Sequence, residues 1–247
     1  MSAPASLSAR ILNQGRYEAV MMLRNGEQLI LAVVLPLLAM VALVVTPLLD
    51  DYGTSRINIA TPGIFALCAM STAFTGQGIA TGFDRRYGVL RYLSTTPLGR
   101  AGLIAGKVIA VLAVLAIQVV LVSVVALLLG WHPEPAGLIP AVLELILGAV
   151  AFTALGLLVA GTVRPEATLA ITNLLWILLA AAGGIIIPVG NLPGVLQPFI
   201  EVLPSAALGD ALRSALIDSQ FNISATLILL AWTILGGLGA VRWFKWS

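Results

Sequence analysis

Charge is what this chain has least of. Asp, Glu, Lys and Arg make up 10% of its 247 residues, against about 25% in a soluble domain. So few charges cannot cover a surface in water, which excludes a soluble globular domain. Cysteine and histidine are nearly absent, with one of each. A lone Cys68 excludes an internal disulfide, and without a CxxC there is no thiolate metal site or redox pair. In its apolar stretch it reads as a small buried hydrophobe. His132 stands in Trp131-His132-Pro133-Glu134 with one carboxylate nearby, too little for a metal site or a catalytic triad. Runs of Lys and Arg interleaved with aromatics are missing too. The pI near 9.0 therefore does not signal a nucleic-acid partner, since the net charge is only +2. The nearest approach to a P-loop is Gly102-Leu103-Ile104-Ala105-Gly106-Lys107-Val108. Its glycines are one residue too close, and valine replaces the Ser or Thr that would hold magnesium. No cofactor or metal is expected on this chain, and any ATP must bind to another.

What is abundant is apolar surface: 60% hydrophobic residues and a mean hydropathy of +1.04. Six apolar runs, at 29–49, 60–83, 108–129, 138–163, 168–189 and 225–241, each approach the roughly 17–25 residues a membrane-crossing helix needs. The first is too long for the core of a cleaved signal peptide. Pro36, Gly183 and Gly184 lie inside runs, which membrane helices tolerate because neighbours satisfy the freed backbone groups. The expected fold is all-α: a polytopic membrane protein of six spans, one domain over 1–247 without internal repeats. Residues 1–28 mix Arg10, Arg16, Glu18, Arg24 and Glu27 with apolar side chains, the pattern of an amphipathic helix on the membrane surface. Residues 190–224 are apolar but broken by Pro193, Pro198 and Pro204, and read as short re-entrant or surface helices.

With the N-terminus in the cytoplasm, eleven of the thirteen Lys and Arg residues fall inside, and only Arg56 and Arg213 outside. That is a strong positive-inside bias. It places both termini in the cytoplasm of a multi-pass cell-membrane protein, with Trp243, Lys245 and Trp246 as an interfacial anchor.

The connection after the second run, FDRRYGVLRYLSTTPLGRAGLIAGK from Phe83, is longer than the 2–8 residues usual between bundle helices. A basic, aromatic-rich helix broken by Pro97 fits here, either against anionic lipid or as a dock for a cytoplasmic partner. The segment carries Asp84-Arg85-Arg86, then Tyr87-Gly88, Leu90 and Leu93, Thr96-Pro97, Arg100, and Gly106-Lys107. Further along come Gly183-Gly184, Pro188, Leu192-Pro193, Pro204 and Ala211-Leu212-Arg213. In this order, on a six-span plan, the two sets resemble the signatures of ABC-2 type permeases, the membrane subunits of ATP-binding-cassette exporters. The overall match looks closest to the drug- and lipid-exporting branch. Arg91-Tyr92 departs from the family pattern, which has an acidic residue shortly after the motif glycine.

The resemblance implies ABC ATPase subunits, carrying ATP and Mg, docked on the 84–102 loop. It implies a second permease chain, alike or different, and an outer gate built from 190–224 with Pro188. It also implies export, for which the apolar spans favour a lipophilic drug-like or lipid substrate. Two rival classes remain: an ATP-independent secondary carrier or channel, and a non-transporting membrane scaffold. Glu144, deep in the fourth run, would be the only acid available for ion coupling. It reads equally as a pathway or interface carboxylate and as a protonated or snorkelling residue. Gln77, Gln118 and Asn173 read as interhelical hydrogen bonders, and Gly78 and Gly82 as a close-packing GxxxG.

Overall fold

A computed structural model describes residues 6–52 and 54–243, with the backbone alone at residues 27–29, 31, 51, 52 and 191. Among the described residues every regular element is helical. In chain order these are α1 (Leu7–Arg24), α2 (Gly26–Val45), α3 (Arg56–Met70), α4 (Gln77–Arg86), α5 (Val89–Leu93), α6 (Gly99–Leu128), α7 (Pro135–Thr162), α8 (Pro165–Ala182), α9 (Gln197–Glu201), α10 (Pro204–Asp218) and α11 (Ile223–Trp243). Short 3₁₀ turns cover Pro47–Tyr52 and Val189–Asn191.

Five stretches among the described residues are long and apolar enough to cross a membrane: Arg56–Arg86, Gly99–Leu128, Pro135–Thr162, Pro165–Ala182 and Ile223–Trp243. The chain is thus an all-α polytopic membrane protein. The first predicted run corresponds to α2, where Ala32–Val45 counts as a shorter apolar helix. The anchor residues Lys245 and Trp246 lie outside the described residues.

The central element is the rod formed by α3 and α4, joined through a π turn at Ser71–Gly76. Most of its side chains are buried, and it packs against α2, α6, α7, α8 and α10. Its GxxxG works as expected. A side chain at Gly78 would meet Thr172 at 3.0 Å, and one at Gly82 would meet Thr168 at 3.1 Å. The two glycines therefore let α8 lie close along the rod. Where α2 turns into α3, Arg56 donates to Asp50 Oδ2 at 2.8 Å and to the Val44 carbonyl at 3.0 Å. The guanidinium bond holds the Asp50 carboxyl below the usual carboxylate range.

Helix α6 begins at Gly99, nine residues before the expected run, and three further differences from expectation bear on the site. Residues 84–86 still belong to α4, so the inner connection is shorter than it reads. It holds together because Arg85 donates to the Ala160 and Val163 carbonyls at 3.2 and 2.7 Å, closing the C-terminus of α7. The fifth run stops at Ala182 rather than 189, because Gly184 turns the backbone with φ +72°. The N-terminal helix α1 does not lie alone on a surface but packs along the start of α6. There Gly15 faces Gly106, and a side chain at Gly106 would meet Gln14 at 2.8 Å.

Candidate functional site

The predicted coupling residues come together at one end of the bundle. Lys107, immediately before the expected start of the third span and two turns into α6, is fully buried. Its Nζ donates to both carboxylate oxygens of Glu18 at 3.0 and 3.1 Å, and to Asp84 Oδ2 at 3.3 Å. A lysine in a dry interior must find carboxylates. Here they come from α1 and α4, so one ammonium group ties three helices. Gln14 donates to Glu18 at 3.0 Å and orients it.

Beyond this cluster stands a ledge. Gly88, in the left-handed region at φ +75°, ends α4 and starts α5. That conformation explains a glycine at the motif position. Leu90, fully buried, packs with Leu93, Leu98, Leu103 and Ile11 into a small core of its own. The hydroxyls of Ser94, Thr95 and Thr96 donate to the carbonyls of Arg91, Tyr92 and Leu93, each at 2.7 Å, and so close the end of α5. Arg10 of α1 donates to the Pro97 carbonyl, and Arg100 reaches the Val241 carbonyl of α11 at 3.2 Å. The predicted residues therefore divide. Asp84, Arg85, Arg100 and Lys107 hold the chain's own helices, and Gly106 makes room for α1. Arg86, Tyr87, Arg91 and Tyr92 face outward, with Tyr87 stacked on Phe83 at 6.2 Å between ring centres. The outward face is basic and aromatic.

At the opposite end, the predicted gate residues also converge. Arg213 of α10 is buried. It donates to the carbonyls of Gly184 and Ile185 at 2.8 and 3.0 Å, and to Asp210 at 2.7 Å. Ser205 donates to the Gly183 carbonyl at 2.7 Å. Backbone freed where α8 breaks is thus satisfied from α10, as a membrane interior requires. Pro188 leads into the 3₁₀ turn, and Leu192 packs with Val189, Ile200 and Ala206. Pro193 opens a turn closed by the Leu196 amide at 2.8 Å. Pro204 occupies the first turn of α10. That helix is not a surface loop; it is embedded against α3, α7 and α11.

Midway lies a feature with no sequence signature. Around the π turn, Ser71 accepts from Trp176 Nε1 at 2.9 Å, and Thr72 donates to Gln118 at 2.8 Å. Gln118 in turn donates to the Ala32 carbonyl at 2.7 Å. Beside it a cavity of about 560 Å³ opens between α2, α4 and α8. Leu35, Ile79, Phe83 and Leu169 give it apolar walls, and Asn25, Ser71, Thr75 and Asn173 supply polar groups. Among the described residues none of its lining side chains is charged. Glu144 sits elsewhere, between α7 and α11, where it meets the Thr226 hydroxyl. Glu18 was also missed as a site residue. The signal for it was Lys107 itself, a cation on an apolar run with no acid within a turn.

Among the described residues no group of His, Cys, Asp or Glu could hold a metal ion. A search of curated proteins finds no match to the chain. A family model described as ABC-2 type transporter matches residues 15–217, which takes in the Lys107 cluster, the ledge, the cavity and the Arg213 clasp. The chain belongs to the ABC-2 type transporter family.

Proposed function

We propose that the chain is the permease subunit of an ATP-driven exporter in the cell membrane, both termini cytoplasmic, moving a lipophilic drug-like or lipid substrate. ATP and Mg are bound by partner ATPase subunits, which dock on the ledge. A second permease chain, identical or related, completes the pathway. The carrying observation is the way the ledge is mounted. Its outward basic and aromatic face is held by Leu90 and by the Lys107 cluster to α1, α4 and α6. A partner's push is therefore delivered to helices rather than absorbed in a loop. The apolar walls given by Leu35, Ile79, Phe83 and Leu169 support a lipophilic substrate.

The test is recovery of the tagged chain from its native membrane in mild detergent. A stoichiometric partner bearing a true P-loop is expected. The double variant R86E/R91E, which spares the groups holding the fold, should insert normally and lose that partner. Undiminished partner recovery would overturn the docking assignment, and a chain active alone in ATP-depleted vesicles would overturn the exporter.

A further inference from the structure

We propose that the cavity beside the π turn is a lateral slot for an uncharged amphiphile drawn from the leaflet on the ledge side, with Ser71 and Asn173 holding its polar group and the space between α2 and α8 taking its apolar chain. This names a substrate class for the proposed exporter and rests on that reading for transport. Binding itself can be read on the chain alone.

The slot follows two helix stripes. Leu169, Asn173 and Trp176 line it at i, i+4 and i+7 on α8, and Thr72, Gly76, Ile79 and Phe83 line it along the rod. Such spacing puts side chains on one face of a helix. At 1.5 Å per residue the α8 side is about 10 Å long. The neighbouring stripe of α8, Thr168 and Thr172, packs on Gly82 and Gly78 of α4, so the slot lies in the half of the span nearest the ledge. Leu35 lines it from α2 and Leu169 from α8, and both are exposed. The slot therefore opens sideways into lipid. Its volume of about 560 Å³ falls in the range of sites that enclose a small organic ligand.

Two polar groups single out the ligand. Elsewhere in the spans, hydroxyls are spent on their own helix: Thr61, Thr153, Thr172 and Thr233 each donate to the carbonyl one turn back. Ser71 instead accepts from Trp176 Nε1 at 2.9 Å. Its hydrogen goes to no group among the described residues. Asn173, three residues before Trp176, is exposed, and its amide has no partner among the described residues. A lone amide facing hydrocarbon is costly. One hydroxyl or carbonyl group of a ligand, seated beside Trp176, answers both side chains. An amide and a hydroxyl supply hydrogen bonds but no counter-charge, which selects an uncharged polar group over an ionised one.

The experiment is tryptophan fluorescence of the full-length chain in phosphatidylcholine nanodiscs, titrated with a monoacylglycerol whose acyl chain carries bromine, a quencher of nearby indoles. Subtracting the W176F signal isolates Trp176. Quenching of Trp176 should saturate at low mole fraction. S71A and N173L should each weaken it roughly 2–10-fold, and A32F, which fills the slot from α2, should abolish it. Quenching that rises in proportion to added lipid, or is unchanged in both S71A and N173L, would overturn the proposal. So would tighter saturation by a brominated single-chain lipid with a phosphate head group, or an N173C disulfide dimer that forms equally with and without the monoacylglycerol, which would give the amide to a second permease chain. N173L, changed on an exposed position, decides alone if S71A or A32F does not insert. Lost binding with the ATPase partner still recovered strikes the substrate class and leaves the exporter; retained binding without that partner does the reverse.

Discussion

Replacing Lys107 by methionine keeps the length of the stem and removes the charge. It leaves Glu18 and Asp84 facing each other with nothing between them. Removing one partner of a buried ion pair costs roughly 3–5 kcal/mol. The side chains of Lys107, Glu18 and Asp84 are 0%, 12% and 29% exposed. The two acids can therefore draw in some water, which puts the cost at the low end, about 3 kcal/mol. For a chain of this size that lowers the midpoint of thermal unfolding by about 6–12 °C. The assay is the loss of a monodisperse gel-filtration peak after heating detergent-purified protein. The triple variant E18Q/D84N/K107M provides the control, since removing all three charges leaves no unpaired acid. It should recover most of the loss, because a buried ion pair contributes little net stability over neutral groups of similar shape. K107M melting within about 2 °C of wild type, or a triple variant no better than K107M, would refute the reasoning.

Three further outcomes follow from particular contacts. Gly106→Leu places a side chain where Gln14 already lies at 2.8 Å; it should cost about 1–3 kcal/mol and expose α1 to limited proteolysis while the spans stay inserted. Arg213→Met leaves the Gly184 and Ile185 carbonyls without their donor, at about 1–3 kcal/mol for each group. Hydrogen exchange of the segment after α8 should rise well above that of α7. A cysteine placed at Asp51 should react with an impermeant thiol reagent added outside cells and one at Ser94 should not, the reverse pattern overturning the cytoplasmic assignment of the ledge.

The spans were legible because an apolar run of twenty residues has few folded alternatives in lipid. The ledge was legible at Gly88, whose left-handed backbone is a local demand, and at Pro97, which lacks the N–H that would continue a short helix. What stayed hidden was set by contacts between distant residues. Glu18 lies 89 positions from Lys107, and nothing local says that α1 will reach it. The helix break at Gly183 could have been an ordinary glycine pair inside a span. Arg213, 28 and 29 positions away, supplies the donors that let the backbone leave the helix there. The π turn has no composition of its own, since Ser71-Thr72-Ala73-Phe74-Thr75-Gly76 would pass for regular helix. Its register follows from α7 pressing on Phe74, α8 anchoring Trp176 to Ser71, and Gln118 holding Thr72.

Several of the interhelical polar contacts lie at three levels along the α3–α4 rod. At one end Asp84 meets Lys107; in the middle Ser71 and Thr72 meet Trp176 and Gln118; at the far end Gly63 backs against the Ile185 carbonyl that Arg213 holds. Hydrogen bonds in hydrocarbon have no water to exchange with, so each level resists sliding. A rod clamped at both ends must bend where its own hydrogen bonding is irregular. That place is the π turn at Ser71–Gly76, a helix irregularity of a kind frequent at functional sites. In the proposed exporter, the site that bends is therefore also the site that lines the cavity. In that reading a displacement entering at the ledge would change the shape of the cavity before it reached the Arg213 clasp. That order would put the proposed substrate contact between the proposed drive and the proposed gate, with no separate coupling element needed.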